Sequence, residues 1–204
     1  ELLIDHAWGY EPCTMADIKA YKPERSSVGS GQVLHSPYSF EKARLILQEM
    51  TDLLVMDLVD KGLVTDQMVL TIGYDRENLS DPEAVKAYKG TIVTDHYGRR
   101  IPKHSHGTAN LHRKTSSTRL ITDAVMKLFD EIIDPTLLVR RINLTAAHVL
   151  PEHLVQPETE MTQLDLFDDH TDTEEETLAR EKSRQKAVLH IQKKYGKNAI
   201  VKGM

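Results

Sequence analysis

GTANLHRKTSSTRLITDAVMKLFDEIIDPTLLVRRINLTAAHVL, residues 107–150, is the stretch whose periodicities decide the fold. In its middle, Leu120, Ile121, Ala124, Val125, Leu128, Phe129, Ile132 and Ile133 recur at helical spacing and make one broad apolar face. Ser116, Ser117 and Thr118 ahead of them offer hydroxyl oxygens to the free N–H groups of a first turn. Asp134-Pro135 ends the helix, because proline removes a donor and pushes its predecessor out of the helical region. On either side the period is two. Ala109 and Leu111 alternate with Thr108, Asn110, His112 and Lys114; Ile142, Leu144 and Ala146 alternate with Arg141, Asn143 and Thr145. Alternation predicts strands with one apolar face. The unit is therefore strand, helix, strand, with a polar, basic sheet face left uncovered.

Working outward, the same pattern occurs once more. Ser27 to Tyr38 is strand-like, with Gly29 and Gly31 marking a bulge or the close approach of another backbone. Phe40 to Lys61 places Phe40, Ala43, Leu47, Met50, Leu54 and Leu58 on one helical side and stops at Gly62. Met68, Leu70, Ile72 and Tyr74 then alternate with Gln67, Thr71 and Gly73. The expected fold is α+β: a four-stranded β-sheet with two helices packed on one face in the order β-α-β-β-α-β, the split βαβ arrangement. A helical N-terminal stub and an extended and helical C-terminal tail complete it. Asp75 to His106 is long for a loop in a compact domain, so it is expected to be functional or partly disordered.

The chain of 204 residues is 40% hydrophobic, enough for one good core together with some unstructured sequence. Its single cysteine, Cys13, excludes an internal disulfide framework and fits a reducing cytoplasm. No long apolar run or export signal is present. The formal charge of −5 conceals a segregation. Between Ile92 and Arg119, six cations (Arg99, Arg100, Lys103, Arg113, Lys114, Arg119) face one acid, Asp95. From Pro151 to Glu176 the acids Glu152, Glu158, Glu160, Asp165, Asp168, Asp169, Asp172 and Glu174 to Glu176 stand without Lys or Arg. That composition predicts a connector that does not order itself. Gln163-Leu164-Asp165-Leu166-Phe167 is its apolar cluster, and residues 177–195 regain a basic helical character.

These segments, in this order, resemble the C-terminal, little-finger region of bacterial Y-family translesion DNA polymerases, DNA-repair proteins of the ImpB/MucB/SamB type. ELLIDHAWGYEP is similar to the end of the thumb domain, KPERSSVGSG to the link into the little finger, QLDLF to the pentapeptide that holds the sliding clamp, and KYGKNAIVKG to the C-terminal segment. The resemblance implies the end of a thumb domain over 1–15, a linker over 16–26 and a little-finger DNA-binding domain over 27–150. It further implies an acidic linker with a clamp motif over 151–176, and a basic helix and tail over 177–204. It implies a cytoplasmic, nucleoid-associated protein acting in SOS lesion bypass, and a parent polymerase whose Mg²⁺ carboxylates belong to a preceding palm domain. This stretch is then non-catalytic and needs no cofactor of its own.

On that reading the sheet grips backbone phosphates of a primer-template duplex, which positions a protein without reading sequence. Ser27, Gly29 and Ser30 allow close approach of backbone N–H groups, while Arg100, Lys103, Arg113, Lys114 and Arg141 supply charge and Thr108, Asn110 and His112 polar contacts. Gln163, Leu164, Asp165, Leu166 and Phe167 dock on the clamp, and the terminal helix is open to DNA, a recombinase filament or a regulatory subunit. The same residues allow other readings. Charged sheet faces are commonly just solvated. His104 and His106, with His96 and His112 nearby, hint at zinc but lack a cysteine partner. Ser30 with His35 hints at hydrolysis but has no elbow to orient a nucleophile. The alternative of another class is a non-enzymatic α/β interaction module whose basic face binds an acidic protein.

Overall fold

A computed structural model describes residues 4, 7–21, 26–155 and 170–200. Four long strands form its centre: β1 (Val28–Tyr38), β2 (Leu63–Tyr74), β5 (Ser105–Thr115) and β6 (Val139–Ala147), side by side in the order β1-β6-β2-β5 with every neighbouring pair antiparallel. It follows that β1 and β2 run parallel with β6 between them, and β5 and β6 run parallel with β2 between them. Each parallel pair is joined by a helix: α2 (Phe40–Asp60) for the first, α4 (Thr118–Ile132) for the second. A short β7 (Leu150–Pro151) pairs with the start of β2, so the sheet has five strands rather than the four expected from periodicity. Two residues are too few to show an alternation, which is why β7 left no pattern.

Helices α2 and α4 pack on each other and on one side of the sheet, where the even-numbered residues of β2 and β6 are buried: Met68, Leu70, Ile72 and Tyr74 against Ile142, Leu144 and Ala146. From the helices come Leu47, Val55, Leu58, Ile121, Val125 and Phe129, all without exposed surface. Phe129 meets Phe40 with ring centroids 5.4 Å apart, a tilted aromatic contact that ties the two helices. The ends of these helices behave as their sequences require. Gly62, at φ +64°, takes the left-handed conformation that closes α2, and Ser117 accepts from the Leu120 N–H at 3.2 Å to cap α4.

The connection from Asp75 to His106 is ordered rather than loose. It holds a 3₁₀ turn (Arg76–Leu79), α3 (Pro82–Ala87) and a ribbon of β3 (Ile92–Thr94) with β4 (Arg100–Pro102). Asn78 explains much of this: its amide donates to the carbonyls of Asp75 and Leu138 at 2.8 and 2.9 Å, and its oxygen accepts from the Leu138 N–H at 2.8 Å. One side chain thus joins the start of this connection to the chain entering β6. In the ribbon's turn, Asp95 accepts from the N–H groups of Tyr97 and Arg99 and from the Arg99 guanidinium. The Arg99 hydrogen bond, against slight desolvation, holds its carboxyl below the usual range.

Two terminal expectations need correction. The segment expected as a linker over 16–26 contains most of α1 (Met15–Ala20), opened by a reciprocal cap in which Thr14 accepts from the Asp17 N–H and Asp17 from that of Thr14. The tail forms α5 (His170–Tyr195), which begins inside the acidic connector. Acids favour the first turns of a helix because of the positive end of its dipole. Nor is α5 simply solvated: Glu181 accepts from the Ser117 hydroxyl at 2.6 Å and the Arg119 N–H at 3.0 Å. Gln185, 7% exposed, donates to the Ser116 carbonyl and the Thr118 hydroxyl. Lys182 pairs with Glu152 and Lys193 with Asp60.

Candidate nucleic-acid interface

The side of the sheet opposite the helices carries no layer among the described residues, and its composition follows from the strand registers. Directly opposed residues share a face, so the open side consists of rungs. Gly29, Thr145, Val69 and Thr108 make one; Gly31, Asn143, Thr71 and His106 the next; Val33, Arg141 and Gly73 a third. Ala147, Gln67 and Asn110 make the rung at the other end. Small and uncharged polar residues dominate, and Arg141 is the only Lys or Arg on these rungs. The face is therefore polar, as expected, but far less basic than the charge count between Ile92 and Arg119 suggested.

Its polar groups link laterally. Gln67 donates to Asn110 at 2.9 Å, and the Thr71 hydroxyl lies 2.9 Å from Nδ1 of His106. At Gly29 and Gly31 the absence of a side chain has a use. A Cβ would lie 3.1 Å from Thr145 Oγ1 at the first and 2.6 Å from Asn143 Oδ1 at the second. The side chains of Thr145 and Asn143 fill the space that a Cβ would take, and both glycines remain exposed at this edge strand.

The cations are displaced to one end by a bulge. Between the pairs Thr65–Thr115 and Gln67–Asn110, β2 advances two residues while β5 advances five. The surplus throws Leu111 to Lys114 out of register, with His112 at φ +57°, a left-handed conformation uncommon for a non-glycine residue. Across from it His148, at φ +51°, ends β6. A shallow depression results, lined by Asp66, Gln67, Asn110, His112, Arg113, Lys114 and His148. Arg113 is exposed, but Lys114 is engaged: its Nζ lies 2.5 Å from Asp66 Oδ2 and donates to the His148 carbonyl at 3.2 Å. His148 Nδ1 lies 3.0 Å from Asp66 Oδ1. Partial burial pushes the Asp66 carboxyl up, but hydrogen bonds from Lys114 and His148 outweigh it and hold the group below its ordinary value.

The structure thus brings Gly29, Thr108, Asn110 and Arg141 onto the open face and His112, Arg113 and Lys114 to its end. Ser27 is exposed just ahead of β1. Ser30 stands opposite Leu144, so its side chain is directed to the helix side and only its backbone belongs to the open edge. Arg100 and Lys103 sit apart, on and just after the β3–β4 ribbon. Gln163, Leu164, Asp165, Leu166 and Phe167 lie outside the described residues. Sequence reading missed Gln67, Thr71, Asn143, Thr145, His106 and His148; all but His148 were legible as the alternate positions of strands whose apolar set had been identified. Among the described residues no three or more His, Cys, Asp or Glu are grouped to hold a metal ion. No helix among them is long and apolar enough to cross a membrane.

Comparison with known proteins adds one strong finding. Residues 25–166 match the model of the impB/mucB/samB family C-terminal domain. No curated protein matches. Among solved structures, a chain of the complex of the beta-clamp processivity factor and the little finger domain of PolIV is 10% identical. The alignment covers 59% of this chain and 86% of that one, at a TM-score of 0.39.

Proposed function

This chain belongs to the impB/mucB/samB family, over its C-terminal domain, the little-finger region of Y-family DNA polymerases, and we propose that it grips primer-template DNA without regard to sequence. The observation that carries the reading is the open sheet face: small polar residues flank an accessible edge strand, with Arg141 on the face and Arg113 at its bulged end. Such a surface offers backbone N–H groups and short donors to phosphate oxygens, contacts that position a protein without reading sequence. A polymerase that copies damaged templates in SOS bypass benefits from that indifference.

The chemistry of nucleotide addition lies with a palm domain of the parent, and this region supplies position. Gln163 to Phe167 tethers it to the sliding clamp, with Leu166 and Phe167 entering an apolar cleft and Gln163 hydrogen-bonding at its rim. Helix α5, whose exposed side carries Arg184, Lys186, Lys193 and Lys194, is the surface left for a further protein or for DNA. Such a protein works at the nucleoid.

The test is fluorescence anisotropy of a labelled primer-template duplex across a salt series, repeated with a second sequence. Four phosphate contacts, from Arg100, Lys103, Arg113 and Arg141, give a slope of log affinity on log salt of roughly −3.6. Equal affinity for both sequences with a slope near that value supports the proposal. No binding at low salt overturns it and favours an acidic protein as the partner of the basic end.

A further inference from the structure

Lys114 is the cation best placed at the bulged end of the open face, yet it is not free. Asp66 lies on β2 between Thr65 and Gln67, where the register with β5 breaks, and so looks into the bulge. Both of its oxygens are used, Oδ2 by Lys114 at 2.5 Å and Oδ1 by His148 at 3.0 Å. The three side chains keep 32%, 22% and 55% of their surfaces for Asp66, Lys114 and His148, so the cluster sits at the rim of the depression, within reach of a ligand. Arg113 and His112 line the same depression.

We propose that Asp66 is an internal counter-ion that competes with nucleic-acid phosphate for Lys114 and thereby sets the affinity of this end of the face. The inference rests on the DNA-binding reading and deepens it. A carboxylate and a phosphate present the same chemistry to an ammonium group, two or more anionic oxygens accepting charge-assisted hydrogen bonds. Phosphate arriving beside Arg113 meets a lysine already neutralised and a carboxylate that repels it. Lys114 reaches phosphate only by turning from Asp66, so in the native complex that contact forms only part of the time, while His148 remains with Asp66. The exchange lowers affinity and speeds release, which suits a grip that must let duplex slide.

The experiment uses the whole chain with a labelled primer-template duplex over a salt series, comparing the native protein with Asp66→Asn, Lys114→Gln and the double variant. Asp66→Asn is expected to tighten binding about three- to tenfold at low salt and to steepen the salt slope by about one, as one more cation joins phosphate. In the Lys114→Gln background the gain from Asp66→Asn should largely vanish. If Asp66→Asn binds no tighter than the native chain, the carboxylate is a structural pin and the inference falls. If that variant folds poorly, NMR of the Lys114 ammonium group in the native chain decides. A signal that moves when duplex is added supports the exchange, and one that stays overturns it. A native chain that binds no duplex at low salt removes the DNA reading and this inference together. A native chain that binds while Asp66→Asn gains nothing removes only the inference.

Discussion

Glu181→Ala should release α5 from the body while leaving the sheet intact. In the native chain Glu181 does for α4 what a second cap would do: Ser117 satisfies the N–H of Leu120, and Glu181 satisfies the N–H of Arg119 and the hydroxyl of Ser117 itself. Loss of a capping oxygen costs about 0.5–2 kcal/mol and loss of a negative charge at a helix N-terminus about 0.3–1 kcal/mol. Because Glu181 is only partly buried, a total of about 1–2 kcal/mol is the realistic figure. That is a five- to thirtyfold change in the docking equilibrium. Lys182, Gln185 and Lys193 add polar contacts to the body, and Leu178, Val188, Leu189 and Ile191 are half-buried on the same helix. Hydrogen exchange followed by mass spectrometry is the assay. Peptides covering residues 174–195 and the Arg119 amide should exchange about five to thirty times faster, and those of β2 and β6 should not change. Glu175→Ala, at an exposed position of the same helix, is the control. Unchanged protection in Glu181→Ala, or equal loss in both variants, would refute the assignment of docking to the cap.

Four further outcomes follow from the geometry. Gly107→Ala would place a Cβ 2.8 Å from Leu128 Cδ1 and 3.0 Å from Ile132 Cγ2, so the denaturation midpoint should fall by an amount equivalent to about 1–3 kcal/mol with an unchanged slope; a variant as stable as the native chain would show a looser fit of α4 on β5. The folded carboxyl of Asp66 lies below its unfolded value of 3.8, so its contribution to stability is present above that value and is lost as pH falls through the folded one. Urea midpoints of native and Asp66→Asn chains should therefore converge in acid, and parallel curves would contradict the pair. Arg141→Ala should weaken duplex binding equally for unrelated sequences and flatten the salt slope by about one, whereas a sequence-dependent loss would mean base readout. Leu166→Ala with Phe167→Ala should abolish clamp binding in calorimetry and spare duplex binding; unchanged clamp affinity sinks the tether.

The body of the fold was legible because its apolar residues keep strict periods. Met68 to Tyr74 and Ile142 to Ala146 alternate without a break, and Leu120 to Ile133 holds a helical stripe through to the proline stop. What escaped had no apolar signature. Helix α5 is held in part by Glu181, Lys182 and Gln185, side chains that in sequence look like any solvated helix, and the connection after β2 is pinned by Asn78, whose partner Leu138 lies sixty residues on. The bulge escaped for another reason: nothing about histidine announces a positive φ, so the alternation from Thr108 to Lys114 was read straight through a break that begins after Asn110. That single misreading is why Lys114 was expected on the face and is found at its end.

The same misreading changes what the proposed grip would rest on. With the cations spread over the face, affinity would be mainly electrostatic and the sheet would lie against the phosphates as a charged plate. With Arg141 as the only Lys or Arg on the rungs, a duplex laid on the face would meet mainly the edge backbone of β1 and the short side chains of Thr108, Asn143 and Thr145. The salt-dependent part of the proposed hold would then come from Arg141 on the face, Arg113 at the bulge, and Arg100 and Lys103 on and beside the β3–β4 ribbon. On the proposed reading, short polar groups would position such a domain on DNA while a few cations at its margins tuned the strength of its hold. One carboxylate at Asp66 is enough to reset such a margin without touching the face itself.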